Sequence, residues 1–367
     1  MIRIAYIVGG LPFGGVENWL FDIALRLKGL ASHQCRIFNV SGTGLKLPEF
    51  RAAGLDVVCI GCSEAATSTH RFDTALRLRR ELKQFSPDIV HTLHFSGDYF
   101  GRIASLGLRS AVVTHMRNVK REKKFYRRLA NKVLSFVTDA YISTSRAVEE
   151  VVDLDHNVFR RKKYVLHNAV DTGRLECNPH DLHAMYGLRG RILVGLGRFY
   201  DQKNFEGAIR ALKILVDGGR DVSLVLVGDG RKWAMYDALA RELGLQDRVA
   251  LTGYRRDVGA FLRGADILVM PSLFEGFGNV HLEAMHCGLP AVVSRFVPSL
   301  EIAAEASVVC DCSPESIAAG VIELLDEPQR CRELADAGRR IVGLHTMDRY
   351  MARLFAIYDE VLRQSCR

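Results

Sequence analysis

The sequence predicts an α/β protein built as two doubly wound parallel-sheet domains. Three observations carry this. Short apolar runs of strand length alternate with helical patterns along the chain, the order that places helices on both faces of a parallel sheet. The alternation starts twice, each time with an apolar run that ends in glycines: Ile2-Arg3-Ile4-Ala5-Tyr6-Ile7-Val8 before Gly9-Gly10, and Ile192-Leu193-Val194 before Gly195-Leu196-Gly197. A chain of 367 residues gives each of two such domains room for its own core.

In the first half, residues 2–8, 35–40, 57–60, 89–93, 111–115 and 140–143 read as strands, with 163–166 after them and helices in most of the intervals. The first strand runs into Gly9-Gly10-Leu11-Pro12-Phe13-Gly14-Gly15-Val16-Glu17, a glycine-rich turn before a helix that starts near Val16. Such a loop brings backbone amides against phosphate or sugar. A dinucleotide site would need G-x-G-x-x-G and a carboxylate closing the second strand. That strand ends Asn39-Val40-Ser41-Gly42, which argues against a dehydrogenase. Pro87-Asp88 turns the chain into the fourth strand, and His94 and Asp98 beyond it are expected to line a pocket. His115 closes the fifth, at the carboxyl edge where parallel sheets bind ligands.

A linker is expected from His167 to about Leu188, and the second alternation follows it. Arg198 and Lys203 lie five apart around a helix start. Cations there are unfavourable unless an anion compensates, and a diphosphate is the anion that two fixed cations fit. Residues 224–227 run into Gly228-Asp229-Gly230, another tight strand-to-helix turn, and 249–251 lead to Gly253-Tyr254-Arg255. Residues 267–270 read as a buried strand before Pro271-Ser272-Leu273-Phe274-Glu275-Gly276-Phe277-Gly278-Asn279, with a helix over 278–286 closed by Gly288 and Pro290. Glu275 thus falls in the loop and Glu283 on the helix, one carboxylate on each side of a helix start, which suits a polyhydroxylated ligand carrying phosphate. From Ser313 the pattern is helical almost to the end, and Tyr350, Leu354 and Tyr358 share one face of the last helix.

Composition narrows the classes. With 48% hydrophobic and 25% charged residues the chain reads as an ordinary globular protein without an apolar run of membrane-spanning length. Its opening residues read as a strand and not as a signal peptide, so a cytoplasmic protein is expected. Nine cysteines, mostly in apolar runs, are expected to stay reduced, and Cys59-Ile60-Gly61-Cys62 and Cys310-Asp311-Cys312 lack the further ligands zinc needs. Residues 1–170 hold 26 Lys+Arg against 15 Asp+Glu, a net +11; the remainder holds 24 against 27, a net −3. Eight of the cations are Arg117, Lys120, Arg121, Lys123, Lys124, Arg127, Arg128 and Lys132, interleaved with Phe125, Tyr126 and Leu129. That segment reads either as a solvated helix face or as a contact for an anionic membrane or acceptor, and no nucleic-acid motif accompanies it. Asp153-Leu154-Asp155 reads as a solvated helix end.

With Glu275 and Glu283 separated by seven residues inside S-L-F-E-G-F-G and G-L-P, the chain resembles the retaining glycosyltransferases of family 4. Their fold is GT-B, two Rossmann-like doubly wound domains facing across a cleft. The resemblance implies an N-terminal acceptor-side domain over residues 1–170, joined by a returning helix 347–367, and a C-terminal nucleotide-sugar-binding domain over 171–346. It implies that Arg198 and Lys203 hold the donor diphosphate and stabilise it as it leaves, that Glu275 orients the donor sugar and that Glu283 binds the ribose. His115 would lie beside the reacting carbon on the acceptor side. Gly14, Gly15, Gly197, Gly228, Arg255, Phe277, Gly278 and Asn279 are the further donor-binding positions implied. Asn168-Ala169-Val170-Asp171 carries alanine where the family has glycine, and Pro298-Ser299-Leu300-Glu301 lacks the glycines that relatives carry there.

The implied activity is a metal-independent hexosyl transfer from a nucleotide-diphosphate sugar, with UDP or GDP as nucleotide, to a hydroxyl acceptor. A glycan or lipid-linked saccharide of cell-envelope polysaccharide synthesis is the acceptor expected. No cofactor is expected, the nucleotide sugar being a co-substrate, and the enzyme would be cytoplasmic with peripheral contact on the inner face of the membrane. The alternatives are an epimerase or phosphorylase of the same fold, or a non-catalytic nucleotide-sugar binder; a binder should have lost Arg198, Lys203 or Glu275.

Overall fold

A computed structural model describes residues 1–68, 71–119 and 121–365, so Lys120 and the last two residues of the expected returning helix lie outside the described residues. The chain divides into two compact units, one of Met1–His167 with Tyr350–Arg367 and one of Asn168–Arg349.

The first unit is a parallel sheet of seven strands: β1 (Ile2–Val8), β2 (His33–Asn39), β3 (Val57–Cys59), β4 (Ile89–Leu93), β5 (Ala111–Met116), β6 (Ala140–Ser143) and β7 (Lys162–Val165). Their order is β3-β2-β1-β4-β5-β6-β7. Helices cover both faces of the central strands, and residues 4–8 of β1 and all of β4 are buried. Helix Gly15–Lys28 buries Trp19, Leu20, Ile23, Ala24 and Leu27, a stripe at helical spacing. Ser145 caps helix Arg146–Asp155, its hydroxyl accepting from the Val148 amide. From Tyr350 on, helix Met347–Ser365 belongs to this unit and buries Tyr350, Leu354, Ile357, Tyr358 and Val361.

The second unit has six parallel strands, β8 (Arg191–Leu196), β9 (Val222–Val227), β10 (Val249–Leu251), β11 (Ile267–Met270), β12 (Ala291–Ser294) and β13 (Val308–Cys310), in the order β10-β9-β8-β11-β12-β13. One apolar layer gathers Phe199, Phe205, Leu212, Tyr236 and Val321, and the other Leu196, Phe261, Met270, Ala284 and Val297. The single helical run expected from Ser313 is broken into Pro314–Asp326, Pro328–Leu344 and Met347–Ser365. Pro328 has no amide hydrogen to continue the first helix and instead opens the second.

In each sheet the strand order reverses once, between β1 and β4 and between β8 and β11. Loops leaving the carboxyl ends of such a pair part in opposite directions and open a crevice, the ligand position of open α/β sheets.

Two expectations are corrected here. Asp155 is not a solvated helix end: it is fully buried, and Arg121 and Arg128 reach its carboxylate at 2.8 and 3.4 Å. Of the two aspartates only Asp153 is exposed, and it pairs with Lys163 at 2.6 Å. The second is Asp98, expected to line a pocket and found 3% exposed. It is buried within helix His94–Ser105, and burial pushes its carboxyl up to about 6. Arg102, one turn on, is fully buried and donates to the Asp98 carbonyl and the Asn131 side chain, both at 2.9 Å.

Candidate active site

In the second unit the chain leaves β8 at Gly197, whose φ of 148° favours glycine. A β-carbon there would lie 2.5 Å from Lys203 Cε, so the bare backbone is what lets the lysine lie along the loop. Gly228 after β9, with φ 150°, clears the Gly197 carbonyl oxygen, which a β-carbon would approach to 1.9 Å. Glycines after two neighbouring strands thus stack their loops.

Lys203 ends the short turn Asp201–Lys203, and its Nζ lies 2.6 Å from Glu275 Oε1. The same oxygen accepts from Ser272 Oγ at 3.0 Å, and Oε2 accepts from Gln202 Nε2 at 3.2 Å. The Leu273 amide donates to the Gln202 carbonyl at 2.9 Å. Loops from the two sides of the β8/β11 switch point are therefore joined, with a nearly buried carboxylate at the joint. Arg198 stands apart from this contact. It is exposed, with its guanidinium 5.5 Å over the Tyr200 ring, which also carries Arg231 at 5.0 Å. The two expected cations thus differ: one is committed to Glu275, the other lies on the surface of the loop.

Gly278, at φ 108°, opens helix Asn279–His286, and a β-carbon there would meet Val297 at 2.6 Å. Phe277 is buried and its carbonyl accepts from the Ser299 amide at 2.7 Å. Asn279 Oδ1 accepts from Asn168 Nδ2 at 2.6 Å. Glu283 is buried on this helix and meets the Arg174 guanidinium. The Arg255 side chain is turned onto Asp257, with contacts of 3.0 and 2.7 Å, and lies over Phe261 at 5.2 Å.

His281 was missed by the sequence reading. Fully buried, it bonds Ser299 Oγ through Nδ1 and Ser307 Oγ through Nε2, both at 2.8 Å, and burial lowers its pKa to about 4. The ring braces the loop that holds Ser299.

In the first unit, Gly14, Gly15 and His115 lie at the carboxyl edge of the sheet. A β-carbon on Gly14 would come within 2.5 Å of Glu17 Oε2, and Glu17, itself buried, reaches His94 Nε2 at 3.4 Å. His115 sits in register with Leu93 of β4 and Ile142 of β6 and is 1% exposed. Both of its ring nitrogens are engaged: Nδ1 lies 3.1 Å from His91 Nε2, and Nε2 lies 3.3 Å from Arg117 Nη1. Among the described residues no three His, Cys, Asp or Glu side chains converge as a metal ion would require.

Two Rossmann-like parallel sheets, with a lysine–carboxylate joint at a switch point, define a two-unit α/β protein of the GT-B class. Residues 13–174 match the family model described as Glycosyltransferase Family 4, and residues 188–341 match Glycosyl transferases group 1. The chain belongs to this glycosyltransferase family. It is 37% identical over 150 residues to the lipopolysaccharide core biosynthesis glycosyltransferase LpsD of Rhizobium meliloti, covering 40% of this chain and 42% of that protein. It is 35% identical over 166 residues to a GDP-mannose-dependent phosphatidylinositol dimannoside mannosyltransferase of Mycobacterium tuberculosis, 45% of this chain and 43% of the relative. The matched stretches thus span less than half the length of these relatives. In fold, the chain is similar to Anabaena HepE solved with UDP, at TM-score 0.84, 18% identity, and 98% and 100% coverage of the two chains. It is also similar to WaaG, a glycosyltransferase involved in lipopolysaccharide biosynthesis, at TM-score 0.73, 20% identity, and 98% and 99% coverage.

Proposed function

We propose that this chain is a retaining, metal-independent glycosyltransferase that moves a hexosyl group from a nucleotide-diphosphate sugar to a hydroxyl of a glycan or lipid-linked saccharide. The observation that carries the reading is the Lys203–Glu275 contact at the β8/β11 switch point, backed by Gly197 and sharing its loop with Arg198. HepE has been solved with UDP and with UDP-glucose, and the mycobacterial relative is GDP-mannose-dependent, which supports a UDP or GDP donor.

Departure of the nucleotide breaks the bond from sugar C1 to the diphosphate oxygen, leaving negative charge on the diphosphate and oxocarbenium character on the sugar. Arg198 meets the diphosphate. Lys203 has three N–H donors, so it can hold Glu275 with one and a phosphate oxygen with another. Glu275 in turn orients the sugar and favours its positive charge. The acceptor oxygen forms the new bond to C1 on the face the diphosphate leaves, and its proton passes to the departing phosphate oxygen. No protein base is required. Glu283, steadied by Arg174, binds the ribose, while Gly228, Arg255, Phe277, Gly278 and Asn279 shape the donor side.

The test is turnover of UDP-, GDP- and ADP-hexoses by purified protein, with and without saccharide acceptors. Nucleoside diphosphate released in step with glycosylated acceptor supports the proposal. Interconversion of donors would mark an epimerase, turnover only with inorganic phosphate a phosphorylase, and binding without turnover a non-catalytic protein. Gly197→Ala is expected to lower turnover at least about tenfold by displacing the Lys203 ammonium, for a stability cost of about 1–3 kcal/mol at the strained backbone. Unchanged turnover in that variant would separate Lys203 from the chemistry.

The basic segment supports a membrane-borne acceptor in a different way from its charge count. Much of its charge is spent internally: Arg121 and Arg128 pair with Asp155, and Arg127 pairs with Glu122 at 3.3 Å. Helix Phe125–Leu134 instead exposes Phe125, Tyr126, Leu129 and Val133, and Phe136 continues the strip. Arg161 donates to the Phe136 carbonyl at 2.8 Å, and Val158 and Phe159, just before it in the chain, are exposed too. Exposed Lys123, Lys124 and Arg160 flank this apolar face, the chemistry of an anionic lipid surface. Among the described residues no helix is long and apolar enough to cross a membrane. Leu129→Asp with Val133→Asp should abolish flotation with phosphatidylglycerol vesicles, and Lys123→Glu with Lys124→Glu should weaken it about tenfold. Retained flotation of the aspartate variant, or a concentration-dependent doubling of mass without lipid, would assign the face to something else.

A further inference from the structure

The strongest unassigned feature is a chain of hydrogen bonds through the core of the first unit. Arg117 Nη1 lies 3.3 Å from His115 Nε2, His115 Nδ1 lies 3.1 Å from His91 Nε2, and His91 Nδ1 lies 2.7 Å from Tyr358 Oη. Tyr358 Oη is in turn 3.0 Å from Tyr6 Oη. Both imidazoles and both tyrosines are buried, His91 completely.

The direction of the protons follows from the ends. A guanidinium only donates, so His115 Nε2 must carry a lone pair and the ring proton must sit on Nδ1. That proton points at His91 Nε2, which must accept, so the His91 proton also sits on Nδ1 and is donated to Tyr358. Any other assignment sets two N–H groups against each other in a buried site or leaves a nitrogen unmatched. A proton added to either ring would repel Arg117 along the same line. The other ionisable groups packed around the pair are Glu17 and Tyr350, with Cys35 beside the tyrosines; Glu17 already reaches His94.

We propose that His91 and Tyr358 are positioning residues that hold His115 as its neutral Nδ1–H tautomer, so that the end of β5 presents the Arg117 guanidinium, not an imidazole base, to an anionic group of the substrate. This rests on the transferase reading above. It narrows the role expected of His115: with Nδ1 given to His91 and Nε2 accepting from Arg117, the ring is a strut for the arginine. The strut is anchored by the last helix through Tyr358, which links a residue 267 positions downstream to His91.

The test begins with the wild-type protein carrying 15N-labelled histidine. Ring nitrogen shifts should show protonated Nδ1 and bare Nε2 for both His91 and His115 at neutral pH and still at about pH 5.5, a unit below the ordinary histidine value. An Nε2–H tautomer or an imidazolium at either ring would overturn the proposal, whether or not turnover is found. In the donor assay, His91→Leu and Tyr358→Phe should each lower kcat about tenfold and raise the acidic limb of the pH–rate profile, with little change in donor KM. His91→Gln should recover part of the loss, because its amide oxygen can accept from His115 Nδ1–H. An unmoved pH profile in folded His91→Leu and Tyr358→Phe would refute the positioning role. If wild-type protein turned over no donor, the transferase reading would fall, and the nitrogen shifts would still decide the tautomers.

Discussion

Lys203→Ala is expected to lower donor turnover by about 10²–10³-fold, the loss that follows removal of one preorganised donor at a developing negative charge. The effect should fall on kcat more than on donor KM, because the charge on the leaving diphosphate grows as the bond breaks. It has a second component: Glu275 loses its 2.6 Å partner while 8% exposed. The carboxylate keeps the Ser272 hydroxyl and the Gln202 amide, so the stability cost should stay below the roughly 3–5 kcal/mol of a fully buried orphaned charge. Urea unfolding of the variant separates the two components. A kcat within twofold of wild type would show that Lys203 is only a structural partner of Glu275. Arg198→Ala should cost turnover with almost no stability, since its side chain is exposed.

The second large effect is acid lability of the first unit. Burial, with Arg117 beside them, lowers His91 to about 3 and holds His115 well below its ordinary value, and burial with Arg102 nearby lowers His156 to about 3. These rings fold neutral. Their stabilisation is complete above the unfolded value near 6.5 and is lost as pH falls from there toward the folded values. Between about pH 6.5 and 5 each contributes at most about 2 kcal/mol of loss. Asp98 works in the opposite direction: raised to about 6, it takes up a proton in the folded state first and returns about 1 kcal/mol. Asp155, held low by Arg121, contributes nothing until pH falls further. The second unit has His281, lowered to about 4, as its corresponding buried ring. The chain's two tryptophans report the units separately, Trp19 in the first and Trp233 in the second. Urea midpoints at pH 7 and 5, followed in Trp233→Phe and Trp19→Phe proteins, should fall more for the Trp19 reporter. Equal or flat midpoints would contradict the neutral rings.

Much of the architecture was legible because parallel strands buried on both faces read as near-continuous apolar runs, and β1, β4, β8 and β11 fall where those runs lie. β12 and β13 were not read: four and three residues directly after a helix stop carry too little periodicity to declare a strand. At the site, residue types at the switch point were readable because glycines and charges there serve one loop each. Partnership was not. That Lys203 gives itself to Glu275, that Arg174 meets Glu283 and that Asp155 consumes two cations of the basic segment are contacts across 72, 109 and up to 34 positions, which no local pattern encodes. The Tyr358–His91–His115 line was invisible for the same reason, and nothing local set His281 apart from the other polar residues of its helix.

The most direct measurement is the rate of nucleoside diphosphate release from a UDP- or GDP-hexose in the presence of acceptor, made with and without chelator and repeated with Arg198→Ala/Lys203→Ala. The expected result is a rate indifferent to chelator and reduced by about 10⁴-fold or more in the double variant. A rate abolished by chelator, or a double variant as fast as wild type, would contradict a site in which protein cations carry the leaving charge.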